Sequence, residues 1–157
     1  MTSPGIGTVV PDLELASTGA KTSKFSDYRG QFVVLYFYPK DNTPGCTTEG
    51  QAFRDAIDQF AALNTVILGV SRDSVKMHEG FKCKQEFPFD LLSDSEEQLC
   101  KLFDVIKQKN MYGKQVRGIE RSTFLLDPEG ILVHEWRKVK VKTHCEEVLT
   151  VLRTLNE

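Results

Sequence analysis

The chain has 157 residues, 40% hydrophobic and 27% charged, with a formal net charge of −2. That balance suits one ordinary domain, residues 1–157, with a full core, and gives no ground for nucleic acid or an anionic membrane as partner. No apolar run approaches the roughly 20 residues that span a bilayer, and Met1-Thr2-Ser3-Pro4-Gly5 lacks the basic and apolar regions of a secretory signal, so the cytoplasm is the expected compartment.

Residues 11–18 alternate apolar and polar side chains, as a half-buried strand does. Gly19 offers a turn, and residues 25–30 read as a short helical turn stopped by Gly30. Residues 32–38 are apolar on both faces, which suits a central strand covered by helices on each side. The stretch Pro39-Lys40-Asp41-Asn42-Thr43-Pro44-Gly45-Cys46 follows, so the strand ends, a short loop turns, and a cysteine lands at a helix start. Over residues 48–63 the apolar Phe53, Ile57, Phe60 and Leu63 recur at helical spacing. Residues 65–71 form a second, β-branched strand and complete a βαβ unit.

Residues 74–86 read as a weaker helix with Met77 and Phe81 on one side and Pro88 closing it, and residues 89–93 as a short strand. Ser95 is the expected N-cap of a helix carrying Leu99, Leu102, Phe103 and Ile106. Residues 107–118 are polar by composition and read as a flexible surface loop. Residues 122–127 and 131–136, joined by Asp127-Pro128-Glu129-Gly130, predict an antiparallel hairpin. A closing helix over 143–155 has its face in Val148, Leu152 and Leu155. The expected class is α/β, a central mixed sheet flanked by helices on the thioredoxin-like plan.

Four cysteines stand at 46, 83, 100 and 145, with no Cys-x-x-Cys pair. In a reducing compartment each is by default a small buried hydrophobe, and Cys100 and Cys145 fit that description on apolar helix faces. Cys46 does not, because a loop after a strand runs over the surface. Unpaired N–H groups and the positive end of a helix dipole favour a thiolate there. Low basicity alone does not make a fast nucleophile, so the leaving group needs support too. Thr43 can bring a hydroxyl to whatever the sulfur attacks. Arg121, just before the strand at 122, either aims its guanidinium at the Cys46 end of the sheet or is an ordinary surface arginine. His78, His134 and His144 do not combine with cysteines at metal-ligand spacings, and the run 137–142 reads as a solvated basic segment.

Pro39-x-x-x-Thr43-x-x-Cys46, together with Arg121, resembles the active-site signature of peroxiredoxins. The wider Phe37-Tyr38-Pro39-Lys40 and Thr43-Pro44-Gly45-Cys46-Thr47-Thr48-Glu49 resemble the Q-type group, the bacterioferritin comigratory proteins, and the likeness covers nearly the whole chain. The resemblance implies a thiol peroxidase acting on hydrogen peroxide and organic hydroperoxides, with Cys46 as the peroxidatic sulfur and no cofactor. Thr43, Arg121 and the helix-start N–H groups would hold the peroxide, and Pro39 would shield the sulfur. Glu49 would orient Arg121 or the helix start; as a first-turn acid it would equally suit the dipole while solvated.

Many Q-type relatives place a resolving cysteine five positions after the first, where this chain has Gln51. Others carry it on the next helix, where Cys83 falls, which implies a Cys46–Cys83 disulfide reopened by thioredoxin or a similar dithiol. Such a bond needs Cα atoms within about 7 Å, so local unwinding is expected. Elements associated with typical dimeric members are missing, which favours a monomer. By the same analogy Met111 and Tyr112 would form an apolar collar near the sulfur. Two other readings use the same Cys46 chemistry: a one-cysteine peroxiredoxin with Cys83 idle, and a redox-sensing or holdase-like binding protein. A disulfide reductase fits less well without Cys-x-x-Cys.

Overall fold

A computed structural model describes residues 4–156, with residue 111 described by its backbone alone. The most apolar stretch forms the innermost strand, β3 (Phe32–Phe37), paired in parallel with β4 (Thr65–Ser71) and antiparallel with β8 (Ser122–Leu126). β5 (Asp90–Ser93), β1 (Leu15–Ser17) and β2 (Lys21–Ser23) extend the sheet on one side and β9 (Leu132–Trp136) on the other. The order is β2-β1-β5-β4-β3-β8-β9, a mixed sheet as the hydrophobic pattern predicts.

Strand alternation divides the core in two. Val33, Leu35 and Phe37 face one layer, where Phe25, Leu99, Phe103 and Phe124 join them. Val34, Tyr36 and Tyr38 face the other, with Phe53, Phe60, Phe81, Val148 and Leu152. The second layer is built by α1 (Pro44–Asp55), α2 (Ile57–Ala62), α3 (Val75–Gln85) and α5 (Val141–Leu155). The first is covered by α4 (Gln98–Leu102) and the 3-10 turn Phe25–Tyr28.

Several expectations are corrected. The helix placed at 48–63 begins at Pro44 and is interrupted at Ala56, whose ψ of 9° leaves the helical range while its N–H is shared between the Ala52 and Phe53 carbonyls. Only residues 15–17 of the strand placed at 11–18 pair. Helix α4 is capped by Asp94 rather than Ser95: the Asp94 carboxylate accepts from the N–H groups of Leu99 and Cys100 at 3.1 and 2.7 Å. Ile106 lies outside that helix, in β6. The polar loop placed at 107–118 is a two-stranded ribbon, β6 (Ile106–Met111) with β7 (Lys114–Ile119), outside the main sheet. Its turn has φ of 53° at Tyr112 and 78° at Gly113, both left-handed, as a tight hairpin requires. Met77 on α3 and Leu155 on α5 face solvent; His78 and Phe81, and His144 and Leu149, take the buried positions.

The N-terminal segment crosses the outer edge of β9, with Gly7 N–H bonded to Leu132 O and Leu132 N–H to Thr8 O. Among the described residues no helix is long and apolar enough to cross a membrane.

Helix α1 approaches the end of α3 closely at Gly50. A Cβ there would lie 2.3 Å from the Phe87 ring, which packs against Phe81 and Phe89. Gly50→Ala should therefore destabilise the protein by about 1–3 kcal/mol, although alanine is the better helix former by about 1 kcal/mol. Urea denaturation reads this directly, and a stabilised variant would show that the ring yields.

Candidate active site

The register that pairs Phe37 with Ser122 puts Arg121 beside Tyr38, where β3 gives way to the loop carrying Cys46. Cys46 occupies the first turn of α1, with Pro44 opening the helix and Thr43 at the N-cap. Proline has no N–H, so Gly45 and Cys46 hold the first backbone donors of that terminus, and these have no intrahelical partner. A threonine at this position usually turns its hydroxyl onto them. Here Thr43 Oγ1 donates instead to Lys40 O at 2.8 Å, which leaves the helix start uncapped by a side chain.

The sulfur is enclosed, with Cys46 only 2% exposed. Arg121 Nη2 donates to Sγ at 3.4 Å while Nη1 donates to Glu49 Oε1 at 2.6 Å. One guanidinium thus serves two groups that can be anionic. Gly45 admits it, since a Cβ there would stand 3.1 Å from Nη2. Glu49, one helical turn after Cys46, is buried and not solvated, so the structure places it against Arg121. Its Oε2 takes no hydrogen bond from the protein. Burial pushes the Glu49 carboxyl up to about 7, against the pull of the arginine. Burial works to lower the Arg121 pKa too, but attraction to Glu49 and Cys46 outweighs it and holds the guanidinium above its ordinary value.

Pro39 and Thr43 are half-buried at the edge of the same loop. Thus Cys46, Thr43, Arg121, Glu49 and Pro39 lie around one loop and one helix start. Cys83 stands apart: it is exposed on α3, whereas Cys46 is buried, and all four cysteines are free. Cys100 is fully buried in the first core layer, and the half-buried Cys145 lies 3.6 Å from Ala52 O. Tyr112, at the ribbon's tip, is 99% exposed and forms no collar there; the side chain of Met111 lies outside the described residues.

Two groups escaped the sequence reading. His144 on α5 pairs its Nε2 with Thr123 Oγ1 at 2.7 Å behind Arg121, and burial, aided by the Arg121 charge, holds its pKa down at about 4. Beneath the loop, Asp41, Asp73 and His78 bring potential ligand atoms within 4.8 Å of one another. Those atoms are already engaged, since Tyr38 and His78 bond the two Asp41 oxygens and Asp73 Oδ2 accepts from Ser71 Oγ. The trio is a hydrogen-bonded cluster.

A model of the AhpC/TSA family matches residues 6–135. Peroxiredoxin Bcp of Bacillus subtilis is 55% identical over 152 residues, 97% of this chain and 97% of that protein. Among solved structures, a cysteine-to-serine mutant of Xylella fastidiosa PrxQ aligns with a TM-score of 0.93 at 51% identity, covering 98% of each chain. Xanthomonas campestris bacterioferritin comigratory protein, described for its alkyl peroxide reduction activity in trapped intermediate and ligand complexes, aligns with a TM-score of 0.88 at 54% identity over 92% of each chain.

The raised Glu49 carboxyl has a measurable consequence. Between about 7 and its unfolded value near 4.5, the folded chain holds a proton there that the unfolded chain has lost. Stability from this group therefore rises as pH falls through that window. Relative to Glu49→Gln, which cannot titrate, the wild type should gain on the order of 2 kcal/mol between pH 8 and pH 5. Urea denaturation of both proteins across the range checks it; a constant difference would mean that the pair stays ionised throughout.

Proposed function

The chain belongs to the AhpC/TSA family as a Q-type peroxiredoxin, a thiol peroxidase, and from this we propose that Cys46 is the sulfur attacking the peroxide. The observation that carries the reading is the Arg121 guanidinium, spread between Cys46 Sγ and Glu49. A thiolate there has its countercharge in contact, and Glu49 keeps that countercharge aimed.

The Cys46 sulfur attacks the terminal oxygen of hydrogen peroxide or an organic hydroperoxide. An S–O bond forms as the O–O bond breaks; the sulfur becomes sulfenic acid, and hydroxide or alkoxide leaves to take a proton as water or alcohol. Because Thr43 Oγ1 spends its hydrogen on Lys40 O, its lone pairs are free to accept the peroxide O–H. The Gly45 and Cys46 N–H groups and Arg121 then stabilise the charge that grows on the oxygens as they part. Pro39 screens the sulfur from water.

Cys83 resolves the sulfenic acid. Its sulfur bonds to that of Cys46, and the sulfenic oxygen leaves as water with the Cys83 proton. An exposed sulfur and a buried one cannot bond without movement, and α3 is built to move. Only His78 and Phe81 of this helix are buried. Gly80 sits in its middle with nothing within 4 Å of a would-be Cβ, a choice that weakens a helix by about 0.5–1 kcal/mol. Its C-cap, Glu86, takes a left-handed φ of 56°. Helix α1 holds the far end by two bonds to Gln85, from Gln51 and Arg54, each 2.9 Å. Unwinding after Gly80 releases Cys83 at the cost of these two bonds, the Lys82–Asp90 ion pair at 2.9 Å and part of the packing of Phe81. A thiol reductant then reopens the disulfide; we assign thioredoxin or a similar dithiol to that step, and read the chain as one domain, monomeric and cytoplasmic.

Treatment with one equivalent of hydrogen peroxide, digestion without reduction and mass spectrometry should yield a Cys46–Cys83 linked peptide. Oxidised Cys46 with Cys83 free would overturn the resolving assignment and favour external thiol resolution. Unmodified Cys46 would overturn the peroxidatic assignment. Gly80→Ala should slow disulfide formation roughly fivefold, the equivalent of about 1 kcal/mol of added helix stability, with sulfenic acid formation unchanged in rapid-quench analysis.

A further inference from the structure

The cluster beneath the Cys46 loop takes no part in the chemistry above. Asp41 is the only fully buried residue of the loop 39–43, where Lys40 and Asn42 are exposed and Asn42 takes a left-handed φ of 63°. Its carboxylate is fixed at both oxygens, by Tyr38 OH at 2.6 Å and His78 Nδ1 at 2.7 Å. Its N–H donates to Asp73 Oδ2 at 2.8 Å. The other ring nitrogen of His78 lies 2.9 Å from Leu92 O. A carbonyl only accepts, so Nε2 carries a hydrogen, and Nδ1 and Asp41 Oδ2 share one proton between them. His78 therefore ties the loop to β5, and side chains of both Tyr38 and His78 are wholly buried.

We propose that His78 is a positioning residue for the peroxidase reaction. Through Asp41 it holds the loop that presents Thr43 and the start of α1 to the peroxide. The proposal rests on the reading of Cys46 as the peroxidatic sulfur. Asp41 lies two residues from Pro39 and two from Thr43, so a tilt of its carboxylate is passed to both. Thr43 Oγ1 also bonds Lys40 O, the residue before Asp41, which makes the loop move as a unit. His78 stands on the first half of α3, before Gly80, and Cys83 on the second. The half that holds the loop is thus separated by a glycine from the half that must unwind, and the peroxide site stays formed while Cys83 is released.

The two ring nitrogens allow the positioning role to be separated from a general packing role. In His78→Asn the side-chain amide stands near the place of Nδ1 and reaches Asp41 but not Leu92 O. In His78→Gln it stands near the place of Nε2 and reaches Leu92 O but not Asp41. Rapid-quench mass spectrometry gives the rates of Cys46 oxidation and disulfide formation in each protein, and urea denaturation gives their stabilities. His78→Gln should oxidise Cys46 about tenfold more slowly, as expected when a reacting group is mispositioned, with disulfide formation unchanged. His78→Asn should recover to within about threefold of wild type, the worth of one modest hydrogen bond. Equal losses in the two variants, or none in either, overturn the proposal. Should neither variant fold, Tyr38→Phe decides, since it removes a donor from Asp41 and nothing from α3: slower Cys46 oxidation upholds the proposal and an unchanged rate overturns it. Failure of wild-type Cys46 to react at all overturns the underlying reading instead.

Discussion

A single guanidinium held between a buried carboxylate and a buried sulfur sets the terms for the rest of the structure. Arg121 can stand there because β8 pairs with β3 in a register that ends beside the loop, and because Gly45 leaves room over the helix start. Burying Glu49 is costly, and its pKa near 7 records that cost. The return is orientation. An arginine held at one end by a carboxylate that cannot move has lost most of its rotamer freedom before any peroxide arrives. Pro44 at the first helical position and the diverted Thr43 hydroxyl complete the arrangement by leaving the helix start without a side-chain cap.

Around this centre, rigidity is unevenly distributed. The β3–β4–β8 core is packed on both faces, and the buried Tyr38–Asp41–His78 cluster fastens the loop that leads to Cys46. The second half of α3 has few buried side chains, a glycine with no packing role and a left-handed end. Segments that open locally come from such low-stability regions. The fold thus sets a densely fastened segment and a sparsely packed one close together, joined at one helix.

The parts legible from sequence were those where one force dominates. Unbroken apolarity marks β3 and β4 as central, and Cys46, Thr43 and Arg121 stand in a short loop and at a strand start that the strand pairing brings together. The ribbon of β6 and β7 was not legible, because Lys107, Gln108, Lys109, Lys114, Gln115 and Arg117 carry no apolar alternation; its strands pair with each other and face solvent, so nothing selects one. Asp94 was hidden as a cap because its carboxylate reaches α4 across three intervening residues, past the nearer Ser95. The sequence marks Asp41 only as part of the loop and His78 only as a histidine without cysteine partners at metal-ligand spacing. Polarity usually signals solvent, and only the tertiary fold brings Tyr38, Asp73 and Leu92 near enough to satisfy them once buried.

The passage of the N-terminal segment along β9 bears on how the chain behaves in a crowd. An open sheet ends in two rows of unpaired backbone groups, and each invites pairing with another copy. At one margin Gly7 and Thr8 already occupy the outward N–H and C=O of Leu132. At the other, β2 is three residues long and begins with a lysine that pairs with Asp90. Neither margin offers a long flat template for fibril growth, and on the β9 side that protection is supplied by a stretch far along the chain from Cys46. Trimming the start of the chain would expose that margin, a change that colloidal behaviour would register before catalysis did.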